Sequence, residues 1–319
     1  MNVFTEPRQH QELESIDTGD AGAPSAPASS GASRANILLA LLAVYIIWGS
    51  TYLGIRIAIE TIPPFMMAGV RFLIAGALLY GFARLRRAPN PNRKQWVGAA
   101  ILGFLLLVCG NGFVTYAEKW ISSGLAALVV GTMPLWAALW AGLFGHWPRK
   151  LEWAGLALGF VGVVLLNLES DLQANGLATL VLFLSPVCWS LGSVLSQRLT
   201  APSGLMASAS EMLIGGAALM IVSLASGEKL TVQPSAGSLL AMGYLVLFGS
   251  IVAFSAYLFL LDNVRPTLAT SYAYVNPAVA VGLGVGLAGE QITGAGVVAM
   301  LAILTAVVII SLASTSSKA

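Results

Sequence analysis

Two ionisable side chains, Arg71 and Glu211, lie well inside apolar stretches of this chain. A charge at the centre of a membrane span costs about 2.5–3.5 kcal/mol on insertion scales, and such groups usually mark a solute or ion pathway. Arg71 would contact an anionic group of a solute or hold a gate. Glu211 would contact a cationic group or carry a proton, because burial disfavours a charged carboxyl. The structural alternative is that Arg71 snorkels to helix-end carbonyls and that Glu211 caps a helix.

Aromatic and polar side chains recur at helical spacing in several of these stretches. Residues three, four or seven apart share a helix face. A polar face is penalised against lipid, so these faces are predicted to point inward. An aromatic wall with a few amides and hydroxyls suits an amphipathic solute, although packing between helices is the alternative for each ring. With Arg71 and Glu211, the predicted solute-binding residues are Tyr45, Trp48, Tyr52, Asn111, Trp189, Ser193, Tyr272 and Asn276.

Two prolines inside apolar stretches, Pro134 and Pro277, are predicted to bend their helices. Proline lacks the N–H that a helix interior needs, and its ring clashes with the preceding turn. The bends are interpreted either as the moving points of a gate or as static curvature.

Elements that cross a bilayer must position these side chains. The chain is 57% hydrophobic and 9% charged, whereas soluble domains carry about 25% charged residues. A helix crosses the hydrocarbon core with roughly 20 residues. The sequence therefore predicts an all-α integral membrane protein with ten transmembrane helices, near residues 36–57, 64–84, 95–117, 122–144, 152–168, 175–197, 204–226, 238–261, 266–288 and 293–313.

The segments outside the spans indicate an orientation. Residues 1–33 are acidic and then rich in Ala, Pro, Ser and Gly, which predicts a disordered tail that buries too little surface to fold. Lys and Arg concentrate in alternate loops, as in residues 84–94. Because positive loops stay on the cytoplasmic side, the tail and both termini are predicted to be cytoplasmic.

The second half of the chain resembles the first at an offset of about 140 residues, which predicts repeats at 36–168 and 175–313. Five spans is an odd number, so a second copy would enter the bilayer from the opposite face. The result is an inverted repeat, an arrangement of many secondary transporters. Equivalent residues are Arg71 and Glu211, Trp48 and Trp189, and Pro134 and Pro277.

Several short motifs resemble the EamA-type branch of the drug/metabolite transporter superfamily. They are Trp48-Gly49-Ser50-Thr51, Arg71-Phe72 with Ala75, Pro134, Pro277, and Gly289-Glu290 with Gly294. The first half departs from the pattern at Gly145-His146-Trp147, where the family often has a Gly-Glu pair. The resemblance implies a ten-helix bundle of two five-helix inverted repeats. It also implies outward movement of drugs or small metabolites, often amino acids and related solutes, across the bacterial inner membrane.

Residues for other chemistries are scarce. The sequence has no GxxxxGK loop, HExxH motif or Cys/His cluster, so no cofactor or metal is predicted. The predicted function is secondary transport by alternating access, with a small solute and the lipid bilayer as partners and no nucleic acid. Coupling to protons and the choice between monomer and homodimer are left open. A channel, whose pore usually has charged rings or carbonyl filters, is the main alternative, and a membrane-embedded enzyme is a weaker one.

Overall fold

The computed structural model describes residues 33–144, 147, 150–166, 175–264, 269, 272–289, 291 and 293–315. Within these residues the chain is mostly helical and has no β-strand. The predicted tail lies outside them except for Ser33, as do Gly145, His146 and Glu290. The helices are α1 (Arg34–Ala58), α2 (Pro64–Leu85), α3 (Arg93–Ala117), α4 (Ser123–Val130), α5 (Met133–Leu143), α6 (Lys150–Leu166), α7 (Gly176–Ser196), α8 (Leu205–Ala225), α9 (Ala236–Asn263), α10 (Tyr272–Ala288) and α11 (Gly294–Thr315).

Seven segments of the described chain are helical, long and apolar enough to cross a membrane. They are α1, α2, α3, α4 with α5 as far as Trp140, α7, α8 and α9. This result confirms an all-helical protein with several membrane-spanning helices. Helices α6, α10 and α11 lie where the other three spans are predicted, and a total of ten spans stays a prediction.

Side-chain caps set the starts of several helices. Asn92 and Gln95 form a reciprocal capping box at the start of α3, with N···O distances of 2.9 and 3.0 Å. Ser122, Asn175 and Ser235 each accept a backbone N–H bond at the start of α4, α7 and α9. These caps satisfy donors that a helix cannot satisfy internally, so the chain enters each helix at a defined residue.

The fourth predicted span is two helices rather than one. Helix α4 ends at Val130 and α5 begins at Met133, with Gly131 and Thr132 between them. Pro134 lies in the first turn of α5, where its missing N–H costs no helical hydrogen bond. The equivalent residue, by contrast, lies inside α10 (Pro277). A role for either proline in gating stays a prediction.

Among the described residues, three helices contain π-helical segments, at Val44–Trp48 in α1, Phe104–Gly112 in α3 and Leu245–Val252 in α9. Such wider turns occur frequently at functional sites. The segments of α3 and α9 start about 140 residues apart, as equivalent parts of the two halves would. A wider turn also changes the angle per residue, and accordingly Trp48 is buried whereas Tyr45 is only half-buried.

Helices α2 and α8 pack closely and run antiparallel. A Cβ atom added at Gly76 would lie 2.9 Å from the backbone nitrogen of Leu213. One added at Gly216 would lie 2.8 Å from the backbone nitrogen of Leu73. Small residues allow membrane helices to approach this closely. We call this contact the glycine seam.

Contacts between the two halves occur in matching pairs. Helix α3 contacts α7 as α9 contacts α1, and α5 contacts α7 as α10 contacts α1. Helix α8 contacts α3 as α2 contacts α9, and α6 packs on α11. The main apolar core lies where these helices meet, around Leu106, Trp48 and Tyr257.

Candidate functional site

A small cavity of about 50 Å³ lies between the two halves. Its wall is largely aromatic and aliphatic with a few polar groups, which is typical of small-molecule sites. Seven of the predicted solute-binding residues line it: Trp48, Tyr52, Arg71, Asn111, Trp189, Tyr272 and Asn276. The remaining lining residues are Thr51, Ile55, Phe72, Leu107, Gly110, Val114, Val130, Met133, Ser185, Gly249 and Phe254.

Five rings form an aromatic cluster at this cavity: Trp48, Trp189, Phe254, Tyr257 and Tyr272. The Trp48 centroid lies 5.5 Å from that of Trp189, 5.0 Å from Tyr257 and 4.9 Å from Tyr272. The plane of the Trp48 ring makes angles of 86° with the Trp189 ring and 77° with the Tyr272 ring. This is the edge-to-face arrangement that aromatic quadrupoles favour. The aromatic cluster therefore joins helices of both halves.

Each tryptophan of the aromatic cluster lies against a glycine of the other half. The indole Nε1 of Trp48 donates a hydrogen bond of 3.0 Å to the carbonyl oxygen of Gly249. A Cβ atom at Gly110 would lie 2.5 Å from Cε3 of Trp189. Both glycines belong to π-helical segments, so these segments make room for the rings that line the cavity.

Arg71 is the charged group of the cavity wall and is only 2% exposed. Its Nε donates to Ser250 Oγ at 2.7 Å, and its guanidinium carbon lies 4.8 Å from the Phe72 ring centroid. A Cβ atom at Gly249 would lie 2.9 Å from Nη2. Nη1 is buried and has no hydrogen-bond partner within the described residues. The guanidinium is thus held at its Nε edge by Ser250, and its Nη1 donor stays unpaired among the described residues.

Two asparagines supply amide groups to the cavity wall. The Asn276 amide, oriented with its nitrogen towards the backbone, donates to the carbonyl oxygens of Tyr45 and Tyr272 at 3.1 and 3.2 Å. Tyr45 does not line the cavity itself. Asn111 lies in the π-helical segment of α3, and its Oδ1 accepts from Thr115 Oγ1 at 3.4 Å. The Asn276 amide thus ties the wall to the backbones of α1 and α10, and the Asn111 amide contacts a side chain of its own helix.

Glu211 and Ser193 lie outside the cavity wall. Ser193 Oγ shares a 2.8 Å hydrogen bond with the Tyr257 hydroxyl, so it supports the aromatic cluster from behind. Glu211 is 2% exposed, and a Cβ atom at Gly103 would lie 2.7 Å from its backbone oxygen. Its Oε2 is buried without a hydrogen-bond partner among the described residues. The structure therefore does not bring Arg71 and Glu211 together in one cavity.

Sequence reasoning missed the eleven other lining residues, among them Phe254, and three residues outside the wall: Ser250, Tyr257 and Glu118. Phe254 and Tyr257 are three apart, which is a helical-face signal, but they lie in an apolar run where such spacing is common. Ser250 has no such signal. Glu118 follows the third predicted span directly, yet it is fully buried, and Arg56 Nη1 donates to its backbone oxygen.

Membrane-length helices around a cavity that both halves of the chain line define a helical membrane protein with an internal site. The EamA-like transporter family matches this chain twice, at residues 35–168 and 176–312. The chain belongs to this family and is a membrane transporter, which confirms the resemblance in the motifs.

Several relatives support this assignment. The uncharacterized inner membrane transporter YedA of Escherichia coli K12 is 51% identical over 274 residues, covering 86% of this chain and 90% of YedA. The uncharacterized transporter YdfC of Bacillus subtilis is 28% identical over 237 residues, covering 73% of this chain and 77% of YdfC. A solved crystal structure, 22% identical, matches with a TM-score of 0.64 over 87% of this chain and 98% of its own, and so has the same fold.

Proposed function

We propose that this transporter is a secondary carrier with ten spans arranged as two five-helix inverted repeats. The repeats rock about the cavity and open it to one side of the membrane at a time. The carrier exports a small metabolite or a drug, with amino acids and related amphipathic solutes as the first class to test. It lies in the bacterial inner membrane with both termini in the cytoplasm.

The crossed tryptophan–glycine contacts carry this proposal. Trp48 contacts Gly249 and Trp189 lies against Gly110, and an offset of about 140 residues exchanges the two pairs. The same offset exchanges the two contacts of the glycine seam. Contacts of this kind are expected when a pseudo-two-fold axis relates inverted repeats and the solute site lies at their interface.

Proton coupling is assigned to Glu211 in this proposal. A buried carboxyl is readily neutralised, because burial disfavours its charged form, and Oε2 has no partner among the described residues. Since Glu211 lies outside the cavity wall, the proton and the solute would bind at separate places. Coupling would then act through the helices that join them.

Counterflow separates a carrier from a channel. Cells that overproduce the protein are first screened for resistance to toxic amino acids, their analogues and dyes, and each hit is tested for efflux. A labelled hit is then offered to proteoliposomes preloaded with excess unlabelled hit. A carrier accumulates the label transiently, because the loaded site exchanges across the membrane, whereas a channel only equilibrates it. Equilibration without overshoot would support the channel.

Reporter fusions test the inverted repeat directly. Residues 86–92 and 226–232 are equivalent under the offset of 140. Alkaline phosphatase fused after the first segment should be inactive, because the segment is cytoplasmic, and the fusion after the second should be active. If both fusions were active, or both inactive, the two repeats would not have opposite orientations.

A further inference from the structure

We infer that the cavity binds small organic anions in which a carboxylate is joined to a flat apolar body, with the carboxylate at Arg71. This inference rests on the solute transport proposed above and adds the chemical class of the solute. It starts from the charge of the wall. Arg71 is cationic, and no Asp or Glu lines the cavity among the described residues.

The guanidinium is already positioned for a carboxylate. Its Nε edge is held by Ser250 Oγ at 2.7 Å, and its plane lies near the Phe72 ring. Gly249 leaves room for Nη2, where a Cβ atom would approach to 2.9 Å. This arrangement leaves the Nη1 end for a ligand, and paired N–H groups of arginine match the two oxygens of a carboxylate.

The unpaired donor is the observation that points to a ligand. Nη1 is buried and has no hydrogen-bond partner in the described part of the chain. A buried charged donor without a partner loses the hydration it would have in water. A bound carboxylate removes that loss by supplying the missing hydrogen bond, which the buried Glu118 outside the cavity wall does not supply although its charge acts on Arg71. A solute ammonium group would instead be repelled by Arg71.

The aromatic cluster accounts for the rest of the solute. Trp48 and Tyr272 meet edge to face at 4.9 Å, and Trp189 completes a wall of rings. Stacking against such rings suits a flat apolar group and costs little conformational entropy. The cavity thus has a cationic end at Arg71 and an apolar, aromatic end at Trp48.

Three probes that share one ring and differ in charge test the inference: phenylacetate, phenethylamine and phenethyl alcohol. Labelled phenylacetate is bound to the purified protein in nanodiscs, and the others compete. We expect phenylacetate to bind best and phenethylamine not to compete. Arg71→Gln should weaken phenylacetate binding by at least about tenfold, because a charge-assisted hydrogen-bonded pair is lost.

Two further variants keep the test decisive. Arg84→Gln removes an exposed cation whose Nη1 donates to the Ala88 backbone and which is not part of the cavity wall, so phenylacetate binding should not change. Ser250→Ala frees the Nε edge and should weaken phenylacetate by about threefold to tenfold without affecting phenethyl alcohol. Ser250→Ala carries the test if Arg71→Gln does not fold.

The outcomes separate this inference from the proposed function. If phenethylamine or phenethyl alcohol binds as tightly as phenylacetate, the cavity does not select anions and the inference is wrong. Loss of that binding in Trp48→Ala would then still support a solute site in the cavity. If none of the probes binds, the inference is also wrong, and counterflow of a screened solute decides the proposed function independently.

Discussion

Arg71 and Glu211 occupy equivalent positions in α2 and α8, but their surroundings differ. Arg71 lines the cavity and is held by Ser250. Glu211 lies outside the cavity wall, and its backbone packs against Gly103. The positions have therefore kept a buried ionisable group while its sign and its access to the cavity have changed.

The equivalent tryptophans and glycines, by contrast, have matching surroundings in the two halves. Trp48 and Trp189 are equivalent in sequence, and each lies against a π-helical glycine of the other half. Gly76 and Gly216 likewise make exchanged contacts in the glycine seam. The comparison teaches that the two halves share their packing residues and differ in their charges. Shared packing lets the halves fit together, and under the inference above the charge of Arg71 lets one half hold the solute group.

The largest effect is expected from the tryptophans. Trp48→Ala and Trp189→Ala should each lower the free energy of unfolding by about 3–5 kcal/mol, because each removes a large ring from the aromatic cluster. Thermal unfolding of the purified variants measures the change. Similar losses would support shared packing. If only one of the two variants lost stability, Trp48 and Trp189 would not have equivalent packing roles in the two halves.

Gly76→Ala and Gly216→Ala should each cost about 1–3 kcal/mol, because the added methyl group meets backbone rather than a flexible side chain. Thermal unfolding again measures the cost. Gly81→Ala is the matched control in α2, since no atom beyond its chain neighbours and the nearby backbone of its own helix lies within 4 Å of its added Cβ. A stable Gly216→Ala protein would show that the glycine seam tolerates separation of α2 and α8.

A smaller effect is expected at Ser193, whose equivalent in the first half is Tyr52. Ser193→Ala removes the 2.8 Å hydrogen bond to Tyr257 and should cost about 1 kcal/mol of stability. Ser190→Ala is the control, because that hydroxyl bonds only to a carbonyl of its own helix among the described contacts. Equal costs for the two variants would deny Ser193 a role in positioning Tyr257.

The smallest effect on solute affinity is expected at Glu211. Glu211→Gln should leave affinity within about twofold, because sites without shared contacts are nearly independent, while abolishing stimulation of uptake by a pH gradient. Equilibrium binding and proteoliposome uptake measure the two quantities. A large loss of affinity would place Glu211 with Arg71 in solute binding. Retained pH stimulation would remove its role in coupling.

The sequence predicted the seven membrane-length segments because long apolar runs leave few alternatives in lipid. It also predicted seven of the eighteen residues that line the cavity, since the offset of about 140 residues pairs Trp48 with Trp189 and polar faces avoid lipid. Arg71 could be predicted because a charged residue within an apolar run is rare and easily recognised.

The rest required the structure. The π-helical segment Leu245–Val252 shifts the register of α9, so a period of 3.6 residues cannot predict which face carries Phe254 and Tyr257. Another such segment separates Tyr45 from Trp48 on α1. Hydropathy places Glu118 after a span but cannot tell whether neighbouring helices cover it.

The glycine seam also has a consequence for biogenesis. Ribosomes deliver α2 to the membrane long before α8, so its small-residue face first meets acyl chains and fits them poorly. That face meets α8 only after helices α3 to α7 have been inserted. Truncated chains that end before α8 should therefore be favoured substrates for membrane proteases, and the complete chain should escape them.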